Sequence, residues 1–236
     1  MILSDVVKAN FVEQAKAEAP REACGLVIIK NGRQVYKPCK NLAGSTDQFI
    51  LDPNDYDKAD QEGEIVAVIH SHPNISAKPS QADLVACEAS GLPWFICGIP
   101  SEHWEYIEPS GYQAPLVGRQ WSHGVLDCYA IIRDWYKLER NIELLDFERR
   151  DEWWKIGENL YLDNFEKAGF RKTTLDKLQK GDVILMTINS PVPNHGAVYL
   201  GDNMILHHVH GRLSTRDIFG GYWLKNAMVY LTYENS

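Results

Sequence analysis

Residues 64–83, EIVAVIHSHPNISAKPSQAD, pass from a short apolar stretch through His-Ser-His-Pro to Ser-Gln-Ala-Asp. The apolar stretch predicts a buried strand, and Ser80 followed three residues later by Asp83 is typical of a helix start. Because side chains alternate along a strand, His70 and His72 lie on the same face of the sheet. The stretch therefore predicts a strand, a loop and a helix that together offer two imidazoles and one carboxylate.

His70, His72 and Asp83 are candidate ligands of a catalytic zinc ion. Imidazole and carboxylate are common zinc ligands, and three protein ligands leave the fourth tetrahedral position to water. Zinc lowers the pKa of such a water towards neutrality, which makes it a nucleophile for hydrolysis. The hydroxyl of Ser80 is a candidate donor to the oxyanion of a tetrahedral intermediate. A purely structural alternative is also open, in which Ser80 and Asp83 only cap a helix.

The spacing of these residues resembles the JAMM metalloprotease motif: His-x-His-Pro, six residues, Ser, two residues, Asp. In that family an upstream glutamate acts as general base at the start of a strand, and residues 20–28, PREACGLVI, supply Glu22. The resemblance implies that the two histidines and Asp83 bind zinc, that Glu22 moves the proton and that Ser80 assists. It extends over residues 1–110 and implies a domain of one sheet with helices.

The rest of the first half alternates between helical and strand patterns. Asn31-Gly32 joins two β-rich runs and predicts a hairpin. The patterns predict helices at 4–19, 54–64 and 80–90 and strands at 24–30, 33–37, 49–51, 64–70 and 93–99. This alternation predicts an α/β sandwich.

The pattern changes after residues 108–118, EPSGYQAPLVG, which contain two prolines and two glycines. Beyond them the sequence predicts helices at 127–139 and 151–169 and strands at 183–188, 195–200, 203–209 and 227–233. Helices followed by strands indicate an α+β domain. We therefore predict two domains, at 1–110 and 117–236, joined by a linker at 111–116.

Cys128 begins a predicted helix, where backbone N–H groups and the helix dipole favour the thiolate. Residues His195 and His207 lie on neighbouring predicted strands and are candidate bases. If 201–203 form the hairpin loop, these two histidines face the same side as diagonal neighbours, while His208 points away. We predict that His195 takes the thiol proton and His207 orients it, although an inert buried cysteine is the alternative.

This arrangement resembles the NlpC family of papain-like cell-wall peptidases. Members have Asp-Cys opening a helix, a His-Gly strand followed by Tyr-Leu-Gly, and a third polar residue twelve positions after the histidine. Asp127-Cys128, His195 and His207 match in order and spacing over residues 117–236. The resemblance implies that Cys128 is the nucleophile, His195 the base and His207 the orienting group. It also implies cleavage of peptidoglycan stem peptides, typically between D-glutamate and a diamino acid.

One position departs from that family. Members usually carry a tyrosine shortly before the cysteine that helps to hold the oxyanion, and here Trp121 takes its place. An indole N–H donates from a different position than a phenol. The resemblance therefore leaves the oxyanion site of this chain open.

The overall composition excludes several classes of function. The 236 residues include 24 basic and 32 acidic side chains, for a net charge of −8, so we expect no nucleic-acid partner. No apolar run approaches the roughly 20 residues that span a bilayer, and the first residues lack a signal-peptide pattern, so we expect no membrane insertion. The five cysteines are widely spaced without a Cys-x-x-Cys pair, which argues against a disulfide framework.

A JAMM domain followed directly by an NlpC-like domain resembles the tail-tip assembly proteins of lambda-like bacteriophages. The resemblance implies a protein made in the host cytoplasm that acts in tail-tip assembly or in local opening of the cell wall. Its partners would be other phage tail-tip proteins and peptidoglycan stem peptides. Two alternatives to a dual hydrolase remain: an assembly factor without catalysis, and a protease that matures another tail protein.

Overall fold

The chain divides into two units, Met1–Gln113 and Ala114–Ser236, each with hydrophobic clusters of its own. The structure, a computed structural model, describes residues 1–99, 101–150 and 152–234. The boundary between the units falls within the predicted linker at 111–116.

The first unit is a five-stranded sheet with helices on both faces. Its elements are α1 (Asp5–Glu18), β1 (Cys24–Lys30), β2 (Arg33–Cys39), α2 (Pro53–Glu62), β3 (Glu64–His72), α3 (Gln81–Ser90), β4 (Trp94–Gly98) and β5 (His103–Ile107). The strand order is β2-β1-β3-β4-β5, and only β3 and β4 are parallel. Phe11 of α1 packs with Ile69 on one face, whereas Val68 packs with Ala59 of α2 and Cys87 of α3 on the other. The alternation along β3 places His70 and His72 on the α3 face.

The strand predicted at 49–51 is wrong. Among these residues only Leu51 pairs, in an isolated bridge with Asn41. Beside the two backbone hydrogen bonds of this bridge, the Asn41 side chain bonds the neighbouring backbone: its Oδ1 accepts from the N–H groups of Ala43 and Ile50 and its Nδ2 donates to backbone carbonyls. A side chain therefore takes the place of further ladder bonds, which strand patterns cannot reveal.

The second unit packs a helix against a six-stranded antiparallel sheet. Its elements are α4 (Cys128–Arg140), α5 (Leu160–Asn164), β6 (Phe170–Thr173), β7 (Val183–Met186), β8 (His195–Gly201), β9 (Met204–His207), β10 (Thr215–Ile218), α6 (Gly221–Asn226) and β11 (Ala227–Tyr233). The strand order is β10-β9-β8-β7-β11-β6. Apolar side chains of α4, including Ile131 and Trp135, pack with Val198 and Leu206 of the sheet. The two units together confirm the predicted α/β (α+β) fold class, since helices pack against a sheet in each of them.

The continuous helix predicted at 151–169 is also wrong. Asp151 lies outside the described residues, and the rest contains one 3₁₀ turn at Trp153–Lys155 and the short helix α5. Gly157 between them has a φ of 86°, a left-handed conformation that ends a right-handed helix. Periodic aromatic residues suggested one helix, but the glycine divides it.

The hairpin between β8 and β9 has the predicted register. Asp202 and Asn203 form its turn with positive φ values of 49° and 54°, as a tight hairpin of this kind requires. Ala197 pairs with His207, so His195 is the diagonal neighbour of His207 on the same face.

None of the helices in the described part of the chain is long and apolar enough to cross a bilayer.

Candidate active sites

The end of β3 and the start of α3 bring His70, His72 and Asp83 together in a buried cluster. Nε2 of His70 lies 3.2 Å from Nε2 of His72 and 3.2 Å from Oδ1 of Asp83. Nε2 of His72 lies 3.4 Å from Oδ2 of Asp83. The three residues predicted from sequence therefore converge on one point.

The cluster has the dimensions of a zinc site. Zinc bonds of about 2.0–2.1 Å in tetrahedral geometry place neighbouring ligand atoms about 3.3 Å apart, which the observed distances match. Nδ1 of His72 lies 2.9 Å from the carbonyl oxygen of Ser76, to which it donates when its Nε2 lone pair faces the cluster. Nδ1 of His70 is buried without a hydrogen-bond partner among the described residues, so Nε2 is the interacting atom of that ring. The donor set of two imidazoles and one carboxylate therefore fits zinc.

Ser80 and Asp83 form a reciprocal cap at the start of α3. The Ser80 hydroxyl accepts from the Asp83 N–H at 3.1 Å, and the Ser80 N–H donates to Oδ2 of Asp83 at 2.7 Å. Although burial opposes ionisation, His70 and His72 hold the pKa of Asp83 well below its usual range. The structural alternative and the ligand hypothesis are thus compatible, because the cap itself fixes the carboxylate. A direct catalytic role for Ser80 stays a prediction.

Glu22 lies two residues before β1 and is buried, with 6% of its surface exposed. Its backbone carbonyl accepts from the Asn41 side chain at 2.9 Å. Burial raises the pKa of Glu22 to about 8, with a smaller opposing effect from His72. A carboxyl with such a pKa can both take and release a proton near neutrality, as a general base must. The role of Glu22 stays a prediction that these properties favour.

In the second unit, Asp127 caps the helix that Cys128 begins. Its Oδ1 accepts from the N–H groups of Tyr129 and Ala130, and its Oδ2 accepts from Nε of Arg149 at 2.6 Å. The Asp127 and Arg149 side chains are only 2% and 3% exposed. Asp127 therefore caps α4 and is held by a buried ion pair. No pattern in the sequence predicts this role for Arg149, which lies in an acidic run.

The Cys128 thiol lies in a buried setting next to a tyrosine. Its Sγ is 3.1 Å from the hydroxyl oxygen of Tyr161. Burial raises the pKa of Cys128 to about 11, and the Asp127 carboxylate adds to the rise. Burial therefore opposes the thiolate that the helix start favours. Tyr161 was missed as a site residue because nothing in the sequence relates it to Cys128.

The two predicted histidines are hydrogen-bonded, and a carboxylate extends the chain. Nε2 of His195 lies 3.0 Å from Nδ1 of His207, and Nε2 of His207 lies 3.1 Å from Oδ2 of Asp217. Burial, reinforced by His207, lowers the pKa of His195 well below its usual range, so this imidazole is neutral near pH 7. Asp217 was missed, although strand parity could have found it: Thr215 pairs with His207 and Asp217 follows two residues later.

Cys128 and His195 line the same pocket, whose walls are mainly aromatic. Trp121 lies at this pocket and packs against His208 and His210, with ring centroids 5.1 and 5.7 Å apart. The other lining residues are His123, Asp127, Arg149, Trp153, Trp154, Tyr161, Ile188, Asn194, Val209 and His210. The pocket presents aromatic, polar and charged side chains beside the thiol.

The two halves of the chain match two family models. Residues 4–107 match the model described as prokaryotic homologs of the JAB domain, and residues 118–232 match the NlpC/P60 family. Solved structures that resemble the chain include a JAB1/MPN domain protein from Archaeoglobus fulgidus, with 19% identity, a TM-score of 0.30 and coverage of 46% of this chain and 90% of that one. An NLP/P60 family protein from Staphylococcus aureus has 13% identity, a TM-score of 0.35 and coverage of 96% of this chain and 61% of that one.

Two phage proteins are similar to most of the chain. The tail tip assembly protein K of Escherichia phage N15 is 37% identical over 228 residues, which cover 95% of this chain and 93% of that protein. The tail tip assembly protein K of Escherichia phage lambda is 42% identical over 177 residues, which cover 75% of this chain and 86% of that protein. Because identity this high extends over most of each protein, the chain belongs to the family of the phage tail tip assembly protein K.

Proposed function

We propose that the second unit is a cysteine peptidase that cuts peptidoglycan stem peptides, and that the first unit is a zinc peptidase that cuts an amide or isopeptide bond. The observation that carries the proposal is the pocket shared by Cys128 and His195, with His207 hydrogen-bonded to His195 at 3.0 Å. A thiol, a neutral imidazole and an orienting group in one pocket are the parts that nucleophilic amide cleavage needs.

The proposed reaction in the second unit has two steps. As the Cys128 sulfur attacks the amide carbonyl, its proton passes to His195 and a carbon–sulfur bond forms. The carbon–nitrogen bond then breaks, and the departing amine takes the proton from the imidazolium. Water, deprotonated by the same imidazole, then attacks the thioester carbonyl. The carbon–sulfur bond breaks, the imidazolium returns its proton to the sulfur, and the new carboxyl group is released. His195 starts each half of this cycle neutral, which its lowered pKa supports.

The oxyanion of this reaction would form at the start of α4. Asp127 accepts from the N–H groups of Tyr129 and Ala130. The N–H of Cys128, the first residue of the helix, is one of the N–H groups that a helix start leaves without an intrahelical acceptor. We propose that this N–H, together with the Tyr161 hydroxyl beside Sγ, serves the oxyanion in place of the absent family tyrosine.

The proposal for the first unit rests on the fit of its three ligand residues to zinc. His70, His72 and Asp83 would hold the ion, and their ligand atoms all lie within 4.8 Å of one another. Zinc bound there would supply a water of lowered pKa and polarise a carbonyl. Glu22 would hold and move a proton at its buried carboxyl, while Ser80 keeps Asp83 in place.

Membership of the phage tail family suggests where the two proposed activities take place. We propose that the protein is made in the host cytoplasm, contacts other tail-tip proteins during assembly, and acts on the cell wall from the tail tip. The aromatic pocket of the second unit would then meet stem peptides during infection.

Mass spectrometry of purified stem peptides incubated with the protein tests the proposal. We expect cleavage between D-glutamate and the diamino acid by the wild type in reducing buffer, and none by Cys128→Ala. Cys97→Ala, which changes a buried cysteine of the first unit, is the matched control and should cleave normally. Intact stem peptides after incubation with folded wild type would overturn the wall-peptidase proposal. Normal infectivity of a phage carrying Cys128→Ala would favour the assembly role instead.

A further inference from the structure

The hydrogen-bonded histidine pair continues to Asp217, a residue outside the three that the family resemblance supplies. Its Oδ2 lies 3.1 Å from Nε2 of His207. Asp217 lies on β10, the edge strand of the sheet beside β9, and shares the face of His207 because it follows the paired Thr215 by two positions. Arg212 lies 3.5 Å from the same carboxylate oxygen. The hydrogen-bonded series His195–His207–Asp217 thus ends at this carboxylate.

A carboxylate at this position determines which nitrogen carries the proton in the His207 ring and, through it, in the His195 ring. An ionised carboxylate can only accept a hydrogen bond, so His207 must donate from Nε2. The Nδ1 atom of a neutral His207 then has a lone pair and accepts from Nε2 of His195, 3.0 Å away. A neutral His195 that carries its proton on Nε2 has its free lone pair on Nδ1. Because Nε2 is engaged with His207 and Cys128 lines the same pocket as His195, this lone pair is the one left for the thiol proton.

We propose that Asp217 is a positioning residue that selects the Nε2–H tautomer of both His207 and His195 and so presents the basic Nδ1 atom of His195 to Cys128. Its negative charge also stabilises the imidazolium that forms when His195 takes the proton. Asp217 acts through His207. The meaning for catalysis rests on the proposed cysteine-peptidase function, whereas the tautomers are a property of the protein alone.

The groups around the two rings support the neutral state that this selection requires. Burial, with a smaller contribution from His207, lowers the pKa of His195. Burial also lowers the pKa of His207, Arg212 contributes in the same direction, and Asp217 opposes them. Tautomer choice matters most for rings that are neutral at the working pH, because a doubly protonated ring has no lone pair to place.

Imidazole ¹⁵N NMR of the full-length protein at pH 7.5 tests the proposal directly. His195→Gln and His207→Gln spectra assign the two rings. We expect protonated Nε2 and unprotonated Nδ1 on both rings in the wild type. In Asp217→Asn the amide can donate instead of accept, and in Asp217→Ala no acceptor remains, so we expect the Nε2–H signals to be reversed or mixed. The proposal would be overturned if both Asp217 variants kept the wild-type tautomers. It would also be overturned if His207 of the wild type carried its proton on Nδ1.

The rate of Cys128 alkylation by iodoacetamide, followed by peptide mass spectrometry, gives a second readout that needs no substrate. We expect the rate at pH 7.5 to fall about tenfold or more in Asp217→Asn and Asp217→Ala, since the imidazole loses its fixed orientation and its stabilising charge. Asp202→Asn, in the β8–β9 turn, should react as the wild type does. Unchanged rates in both Asp217 variants would contradict the proposal. If the protein does not cleave stem peptides, both measurements can still be made. The peptidase proposal and the Asp217 proposal can therefore be rejected independently of each other.

Discussion

The two candidate sites of this chain are built in opposite ways. The first takes His70, His72 and Asp83 from 14 consecutive residues that join one strand to the next helix. The second takes Cys128 from α4, Tyr161 from α5 and two histidines from β8 and β9, with Asp217 added from β10. One site is local in sequence, and the other is assembled by the packing of a whole unit.

Because of this difference, we expect substitutions to affect the two sites in different ways. In the first unit, the cap of α3 fixes the Asp83 carboxylate, and β3 places His70 and His72 on the same face of the sheet. In the second unit, α4 is capped by Asp127, whose carboxylate is paired with the buried guanidinium of Arg149. We therefore expect ligand changes to empty the first site without unfolding it, whereas a change at Arg149 should weaken the second unit as a whole.

The largest effect should come from removing one zinc ligand. His70→Ala loses an imidazole from a three-residue donor set, so bound zinc should fall from about one ion per chain to none. Elemental analysis by mass spectrometry after dialysis measures this. His103→Ala changes an exposed histidine on β5 and should keep the ion. Full zinc content in His70→Ala would show that the ion binds elsewhere.

The next effect tests the anchor of the second site. Arg149→Met keeps most of the side-chain volume but leaves the Asp127 carboxylate buried without its cation, which should cost about 3–5 kcal/mol of unfolding free energy. Urea denaturation of the second unit's transition measures the loss. Arg150→Met removes a neighbouring exposed guanidinium and should change stability by less than about 0.5 kcal/mol. Equal stability of the two variants would rule out the anchor role.

A smaller effect distinguishes the two roles of Ser80. Ser80→Ala removes a helix cap and should cost about 1 kcal/mol of stability. It should also weaken zinc binding by about tenfold, because the Asp83 carboxylate loses a fixed orientation. Ser4→Ala removes the matching cap of α1, whose hydroxyl accepts from Val7, and should affect stability only. Zinc affinity that Ser80→Ala leaves untouched would mean that the cap and the metal site are independent.

The smallest effect concerns the pH dependence of the thiol. Burial raises the pKa of Cys128 to about 11, so its alkylation rate should rise with pH over the alkaline range. Burial raises the pKa of Tyr161 still further above its ordinary value, so its hydroxyl stays protonated and donates to the thiolate. Tyr161→Phe should therefore move the alkylation curve to higher pH and slow alkylation a few-fold at pH 9.

Tyr129→Phe is the control for that measurement, because its hydroxyl bonds to the carbonyl of Leu145 rather than to sulfur. Its alkylation curve should overlay the wild-type curve. A reactive thiol already at pH 6 in the wild type would contradict the neutral thiol and imidazole that the burial of both groups favours.

The sequence predicts the first site well because its determinants are local. The alternation along β3 and the capping pattern of α3 each follow from short-range geometry, so His70, His72 and Asp83 converge where expected. The hairpin between β8 and β9 is local too, and its register gave the His195–His207 pair. The combination of both motifs predicts the phage tail family.

The remaining features depend on contacts between distant segments. Tyr161 meets Cys128 across 33 positions, and Arg149 meets Asp127 across 22. The predicted helix at 151–169 was wrong because Gly157 adopts a left-handed conformation there. Hydrophobic periodicity does not encode which side chains meet across such separations.

Stem-peptide cleavage is proposed for the second site alone, and one measurement tests this directly. It is the rate at which His70→Ala and Cys128→Ala cleave the same purified stem peptide, each compared with the wild type. We predict that the His70 variant cleaves at the wild-type rate and that the Cys128 variant does not cleave, since the thiol site lies wholly within the second unit. Cleavage by Cys128→Ala, or its loss in a folded His70→Ala, would contradict this account.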